Sequence, residues 1–454
     1  MGELVVSYSG IRGVVGHGLN ASVAQRFGTA FTRMVRERNP DGRVVIVVGR
    51  DTRESGQGLR EGLLRGMRGS GFHVVELGVV PTPTVQFTLG ERHAHGAVAI
   101  TASHNPSQWN GFKFFLGPDN TVLDGAQTQQ LMSLLPDGEE PTGEAVTCED
   151  HHHDAVARHV QRVLEQVEVE RIRHRRFRVA VDSANGAGAE PAGQLLDALG
   201  CRVSVVRSRR ESEPIPENLG ELRGGVRQEG CDLGFALDLD ADRLALVTDE
   251  GGAPGEDYTL VLVVAHLLQR AGRADVVVVK NVSTTRALDD VVRNAGAELV
   301  ETRVGEINLS RALLTQVRAG RVAFGGEGNG GVILPSVCMG RDSLTGMALV
   351  LEALAQEDRP LSVRLNALPH YHARKVKLPL VAKDALPALQ DRIERAFPDG
   401  RADRIDGLRV QFRDGSWFGI RPSNTEPVVR IVLESRSAAW VEETELLLRH
   451  HWAR

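Results

Sequence analysis

Three times along this chain an aliphatic run stops at a polar loop rich in glycine or serine and gives way to a helical stretch. Residues 43–47 read RVVIV before GRDTRESG, 177–181 read FRVAV before DSANGAG, and 275–279 read DVVVV before KNVSTT. Each helical stretch ends near glycine and feeds a second strand, GFHVVELGVV from 71, GCRVSVV from 200 and GAELVETRVG from 296. A third strand closes each copy: GAVAI at 96, DLGFAL at 232 and GRVAF at 320. Continuous apolar strands alternating with helices are strands covered on both faces, which predicts βαβ units in parallel or mixed sheets. From about residue 366 the pattern changes to KVKLPL, a helix over 384–397, then LRVQF, WFGIR, VVRIVLE and a last helix from Ala438. The expected architecture is therefore four domains. Three related α/β domains span 1–150, 151–250 and 251–367, and a smaller C-terminal α+β domain spans 368–454.

With 454 residues the chain is long enough for several packed cores, and with aromatics at 4% those cores are aliphatic. A net charge of -5 gives no general attraction to nucleic acid or anionic membrane, so any anion site must be locally basic. Cys148, Cys201, Cys231 and Cys338 are scattered, without a CxxC pair, which argues against a zinc site or disulfide framework and suits a reducing compartment. The start MGELVVSYSG has no secretion-signal pattern, and the apolar stretch 260–268 is too short to span a bilayer. The expected location is cytoplasmic, as a monomer or homodimer, with neither nucleic acid nor membrane as partner. Linkers are expected near Glu139–His153, Asp249–Gly255 and Asn366–His372. The run EDHHHD at 149–154 reads as solvated linker rather than metal site, because three adjacent histidines cannot all face one ion.

The loops after the three third strands differ in chemistry: TASHNPSQWNGFK, then DLDADR, then GGEGNGG. Ligands of α/β sheets bind outside strand carboxyl ends, so three such loops could face one cleft. In the first, Ser103 is a nucleophile-capable residue with neither a GxSxG elbow nor an obvious base. Lys113 stands out because the chain has 5 lysines among 54 basic residues, and lysine can exchange a proton where arginine cannot. In the second loop, Asp238, Asp240 and Asp242 would share one face of an extended segment. Three close carboxylates need a cation, and an all-oxygen set points to Mg²⁺. An acidic surface turn is the plain alternative. In the third, Glu327 sits among glycines, in a loop expected to be mobile, and can accept from sugar hydroxyls. A hairpin-like loop, RPSNTEPVVR, carries Arg421, Ser423, Asn424, Thr425 and Arg430 and suits phosphate. Arg50 and Asp51 read as a brace for neighbouring loops.

The four loops in this order resemble those of the α-D-phosphohexomutases, over essentially the whole chain. The resemblance implies four domains around a central cleft, the last of a different fold, and reversible exchange of hexose 6-phosphate and 1-phosphate. Ser103 would be the phosphoserine. Asp238, Asp240 and Asp242 would hold Mg²⁺ with its phosphate oxygen. Glu327 and Asn329 would read sugar hydroxyls, and Arg421, Ser423, Asn424, Thr425 and Arg430 the distal phosphate. Arg12, His104, Lys113 and Arg243 would surround the moving phosphoryl group. A hexose bisphosphate would be intermediate and activator. Many relatives carry Glu-x-Ser-Gly-His in the sugar loop, whereas here Gly331 takes the histidine's place, so that histidine's role does not carry over. The EGNGG and RPSNTEP pair most resembles the archaeal-type phosphoglucosamine mutases, with a phosphomannomutase/phosphoglucomutase as the alternative. Outside the family, a non-catalytic phosphosugar-binding protein and a Mg²⁺-dependent phosphatase using an aspartate nucleophile are the rival readings.

Overall fold

The computed structural model describes residues 4–7, 10–68, 71–138, 143–144, 146–272, 275–379, 386–422 and 428–452. The three sequence repeats become three sheets of one topology. In the first, Phe72–Val79, Val44–Arg50, Gly96–Ile100 and Trp109–Leu116 lie side by side in that order. The second has Arg202–Val205, Arg178–Asp182, Leu233–Leu237 and Leu244–Thr248, and the third Glu298–Thr302, Val276–Asn281, Val322–Glu327 and Gly331–Ile333. The first three strands of each set are parallel. The fourth returns antiparallel beside the third strand. Each polar loop is thus the link between a third strand and its antiparallel return. That return strand is why the sheets are mixed. The first sheet grows to eight strands, with Gly10–Val14 on Trp109–Leu116 and Thr147–Asp150 on Phe72–Val79. The C-terminal unit is a five-stranded antiparallel sheet carrying the helices Leu386–Ala396 and Ala438–Trp452.

Packing divides the molecule unevenly. Alternate residues of the first sheet enter different cores: Ile46, Val48 and Val98 on one face, Val47, Ala97 and Ala99 on the other. The second and third units share one continuous core, where Leu195 and Leu233 join Leu260, Val278 and Leu349. The last unit has its own core around Phe418, Ile431 and Leu433. It meets the third largely through polar contacts: Arg409 Nη1 donates to Glu301 Oε1 at 2.8 Å, and the Arg286 N–H to Glu434 Oε2 at 2.8 Å.

The EDHHHD run is regular structure rather than an irregular linker. Glu149 and Asp150 end the strand on Phe72–Val79, and His152 begins the helix His152–Leu164. His152 engages both ring nitrogens, Nδ1 with the Leu77 carbonyl at 2.7 Å and Nε2 with the exposed Glu190 at 3.0 Å. Pairing with the neighbouring strand outweighed the polarity of the segment.

Candidate active site

A cleft of about 340 Å³ opens where the loops meet, lined by all four units: Arg12, His104 and Lys113; Glu213 and Arg243; Glu327, Asn329 and Arg341; and Lys377, Arg421 and Arg430.

Ser103 is buried at its edge with φ +51°, a left-handed conformation that costs a non-glycine residue about 1 kcal/mol. It must be held there, and Arg53 holds it. That guanidinium donates to the carbonyls of Ser103 (2.7 Å), Asn105 (2.7 Å), Pro106 (2.8 Å) and Trp109 (2.9 Å). Asp51 pairs with Arg53 Nε at 3.2 Å and accepts from Thr101 Oγ1 at 2.7 Å, while Thr101 Oγ1 accepts from Ser103 N at 2.8 Å. The brace expected from Arg50 and Asp51 therefore runs through Arg53. Arg12 Nη1 donates to Asn105 Oδ1 at 2.6 Å across the loop's far side.

Asp238, Asp240 and Asp242 do converge, but not by extension. Ala241 has φ +53°, and its N–H donates to the Asp238 carbonyl at 3.1 Å, so a tight turn gathers the three side chains. Their ligand oxygens lie within 4.8 Å of one another and all three are buried. Asp238 Oδ2 accepts from Ser103 Oγ at 3.0 Å. Asp240 Oδ2 accepts from Thr82 Oγ1 and Lys113 Nζ, each at 2.7 Å. Asp242 Oδ2 accepts from Lys113 Nζ at 2.8 Å and Arg341 Nη2 at 2.6 Å. Asp240 Oδ1 and Asp242 Oδ1 are buried without a hydrogen-bond partner. Two orphaned carboxylate oxygens, beside a third carboxylate touching a serine hydroxyl, form an acidic group that could hold a metal ion. Burial, reinforced by Asp242 and Asp240, pushes Asp238 well above the usual carboxylate range. Burial would raise Asp240 and Asp242 too, but Lys113, with Arg341 and Arg243 beside Asp242, outweighs it and lowers both.

Burial alone would lower the Lys113 ammonium, but Asp240 and Asp242 outweigh it and hold the amine charged, above its ordinary value. His104 goes the other way. Burial first, then Arg243, Arg12 and Arg430, press it well below the usual imidazole value, so it is neutral, and its Nδ1 is buried without a partner. Arg243 donates to Glu213 Oε1 at 3.1 Å and lies 3.9 Å from Asp238.

Glu327 is neither mobile nor solvated. It ends the strand Val322–Glu327 and is buried. Oε1 accepts from Asn281 Nδ2 (2.9 Å) and the Gly305 N–H (3.2 Å), and Oε2 from Arg341 Nη1 (2.7 Å) and Asn329 Nδ2 (3.2 Å). Burial would raise this carboxylate, but Arg341 and the hydrogen bonds outweigh it and keep it ionised. The glycines around it allow close packing rather than motion: a Cβ at Gly328 would collide with the Asp257 carboxylate. Glu306, at the start of the helix Glu306–Arg318, completes this side. It meets Arg341 Nε at 3.1 Å, and burial raises its carboxyl.

On the last unit, Lys377, Arg430 and Arg421 stand directly opposite one another across three neighbouring strands, and all three line the cleft. Three cations in one row facing the cleft suit an anionic ligand. Ser423, Asn424 and Thr425 lie outside the described residues.

Sequence reasoning missed Arg53, Arg341, Glu306, Lys375 and Lys377. The scarcity of lysine that marks Lys113 applies equally to Lys375 and Lys377, both of which line the cleft. Nothing in the local sequence sets Arg53 or Arg341 apart from the other arginines. Glu306 opens a helix like any first-turn glutamate.

Four profiles of the phosphoglucomutase/phosphomannomutase family match in order: α/β/α domain I over residues 4–141, domain II over 157–252, domain III over 255–371, and the C-terminal domain over 376–450. A protein of Methanopyrus kandleri named a probable phosphoglucosamine mutase is 36% identical over 444 residues, covering 94% of this chain and 93% of its own length. A Thermococcus kodakarensis protein named phosphoglucomutase/phosphomannomutase is 33% identical, covering 96% of this chain and 95% of its own length. The crystal structure of a phosphoglucomutase/phosphomannomutase family protein from Burkholderia thailandensis superposes with a TM-score of 0.84 at 31% identity, covering 98% of this chain and 97% of that one. With all four domains in order along one chain, this protein belongs to the α-D-phosphohexomutase family and is an intramolecular phosphotransferase of the isomerase class.

Proposed function

We propose that this mutase exchanges the phosphoryl group between the 6- and 1-positions of a hexose phosphate through a phosphorylated Ser103 and a hexose bisphosphate, with Mg²⁺ as cofactor. The observation that carries this is the contact of Ser103 Oγ with Asp238, beside two carboxylate oxygens that lack partners. Asp238, Asp240 and Asp242 would hold the ion, which when bound supplies positive charge against the phosphoryl oxygens.

The chain's own residues supply the rest. The Arg53 brace keeps Ser103 in its left-handed turn, so the oxygen meets the sugar at a fixed point. When phosphoryl leaves, its bond to Ser103 Oγ breaks and a bond to the sugar hydroxyl oxygen forms. Lys113, an ammonium, gives a proton to the departing serine oxygen and takes up the one that the sugar hydroxyl loses, and the return transfer runs this exchange backwards. Arg12 and Arg243 face the transferring group as fixed cations, and His104 as a neutral imidazole. Glu327 is ionised, and sugar hydroxyls would take the place of its longer donors, the Asn329 amide and the Gly305 N–H, each at 3.2 Å, which frees Asn329 to bond the sugar as well. Arg421 and Arg430 grip the phosphate that does not react, together with Ser423, Asn424 and Thr425. A clamp remote from the chemistry lets one phosphate anchor the sugar in either orientation. The free thiols Cys148, Cys201, Cys231 and Cys338 suit the cytoplasmic setting we assign.

Glucosamine phosphate is the favoured sugar, supported by the name of the Methanopyrus kandleri relative. A phosphomannomutase/phosphoglucomutase is the second reading, supported by the Thermococcus kodakarensis relative. The test is ³¹P NMR of the protein with Mg²⁺ and a trace of hexose bisphosphate. The 6-phosphates of glucosamine, mannose, glucose and N-acetylglucosamine would be given in turn. A growing 1-phosphate signal identifies the sugar. Free inorganic phosphate alone would replace this reading with a phosphatase, and no change in any tube with a binding protein.

A further inference from the structure

Arg341 lies between the two halves of the cleft. Its guanidinium contacts Asp242 of the acidic turn, Glu327 of the sugar-side strand and Glu306 of the adjoining helix, at 2.6, 2.7 and 3.1 Å. A guanidinium has five N–H donors, two on each terminal nitrogen. Each terminal nitrogen spends one N–H on a carboxylate, and Nε spends its own on Glu306. Among the described residues two N–H donors of this cleft-lining cation therefore have no partner and remain for a ligand. They sit between the carboxylates that would hold a cation and the carboxylate that would read the sugar. That is the junction where a sugar oxygen carries or receives its phosphoryl group.

The stem of Arg341 explains a neighbouring residue. A Cβ on Gly331 would run into Arg341 Cδ and Cγ, far inside van der Waals contact, and Gly331 itself has ordinary strand backbone. Gly331 is thus glycine for space, not for conformation.

We infer that Arg341 is a catalytic, substrate-contacting residue of this cleft, donating to a phosphoryl oxygen at the reacting end of the hexose phosphate, and that Gly331 and Arg341 form one exchangeable unit in which a side chain at 331 and the arginine exclude each other. The inference rests on the mutase reading of the cleft, so Ser103→Ala is carried as a control throughout. Removing one charged donor from a preorganised oxyanion site lowers kcat about 10²–10³-fold.

The experiment compares Arg341→Ser, Gly331→His and the double variant Gly331→His/Arg341→Ser. For each, kcat and KM are measured with the preferred hexose phosphate, and Kd for that hexose 6-phosphate by calorimetry without turnover. Arg341→Ser is expected to lose about 10²–10³-fold in kcat and to bind the 6-phosphate more weakly. Gly331→His alone is expected to be severely impaired, and the histidine to do no further harm once Arg341 is gone. Should Arg341→Ser fail to fold, Arg341→Lys decides: retaining the charge but not the fork, it folds and loses kcat under the inference. Arg341→Ser or Arg341→Lys within threefold of the parent in kcat and Kd overturns the substrate contact. A harmless Gly331→His overturns the exclusion. An active Ser103→Ala instead overturns the mutase reading and leaves the Arg341 contacts to another reaction.

Discussion

Replacing Arg53 with methionine tests whether the serine is held by its loop or by the rest of the cleft. Arg53 is fully buried, pairs with Asp51 and donates to four main-chain carbonyls around Ser103. Burial already raises Asp51, with Arg53 and Thr101 opposing it, so loss of the arginine leaves a dry carboxylate without its counter-charge. Breaking a buried pair from one side costs about 3–5 kcal/mol. Within a unit the size of the first domain, that lowers the melting temperature by roughly 10 °C. The four carbonyls also lose their donor, and Ser103 loses the contacts that keep it at φ +51°. A displacement of about 1 Å at the nucleophile costs on the order of 100-fold in kcat. The assay pairs differential scanning calorimetry with turnover of hexose phosphate in Arg53→Met and in Asp51→Asn/Arg53→Met. The double variant removes the stranded charge but not the loop's need for donors, so it should regain much of the stability and none of the activity. Stability within 2 °C of the parent (about 1 kcal/mol), or full kcat in either variant, would refute the brace.

Ser103→Gly should abolish turnover yet keep or slightly raise the melting temperature, because glycine adopts the left-handed backbone without the penalty of about 1 kcal/mol; a clear fall would show that Ser103 Oγ contributes to folding. Lys377→Ala and Arg421→Ala should each raise KM several-fold with little change in kcat, and should lower the salt sensitivity of binding; an unchanged KM in initial-rate assays would dissociate the three-cation row from the distal phosphate. Asp342 ties three units together through His159 Nε2 at 3.2 Å and Thr345, while His159 Nδ1 meets Thr84 at 2.9 Å. Burial would raise this carboxyl, but His159 and the hydrogen bonds outweigh it and lower it. A lowered carboxyl contributes stability fully present above its unfolded value near 4, lost as pH falls through its folded value. Asp342→Asn should therefore be less stable at pH 7 and lose less than the parent between pH 5 and 3; parallel acid limbs in thermal melts would count against this.

Local sequence made much of this molecule legible. Apolar strands of the 44–50, 178–182 and 276–281 type cannot be left half exposed, so their repetition dictated three layered α/β units. The loops carrying Ser103, the three aspartates, Glu327 and the Arg421 segment were visible because unusual chemistry was crowded into a few consecutive residues. The antiparallel return strands were less visible. A strand resuming directly after Arg243 can be read from the sequence, but its antiparallel pairing with Leu233–Leu237 cannot. The polar, histidine-rich 149–154 run looks like linker until Phe72–Val79 is there to pair with it.

Sequence alone determined most of the elements and which short segments carry chemistry, because both depend largely on residues a few positions apart. Only the tertiary structure decided what those segments become. Asp240 and Lys113 are 127 residues apart, and Arg341 reaches Asp242 across 99. Whether Lys113 is charged, His104 neutral or Glu327 ionised depends on burial and on neighbours brought from other units. Those are properties of a closed, water-poor space rather than of any stretch of chain. Gly331 is the plainest case. In the sequence it is a missing side chain, and in the fold it is the space occupied by Arg341.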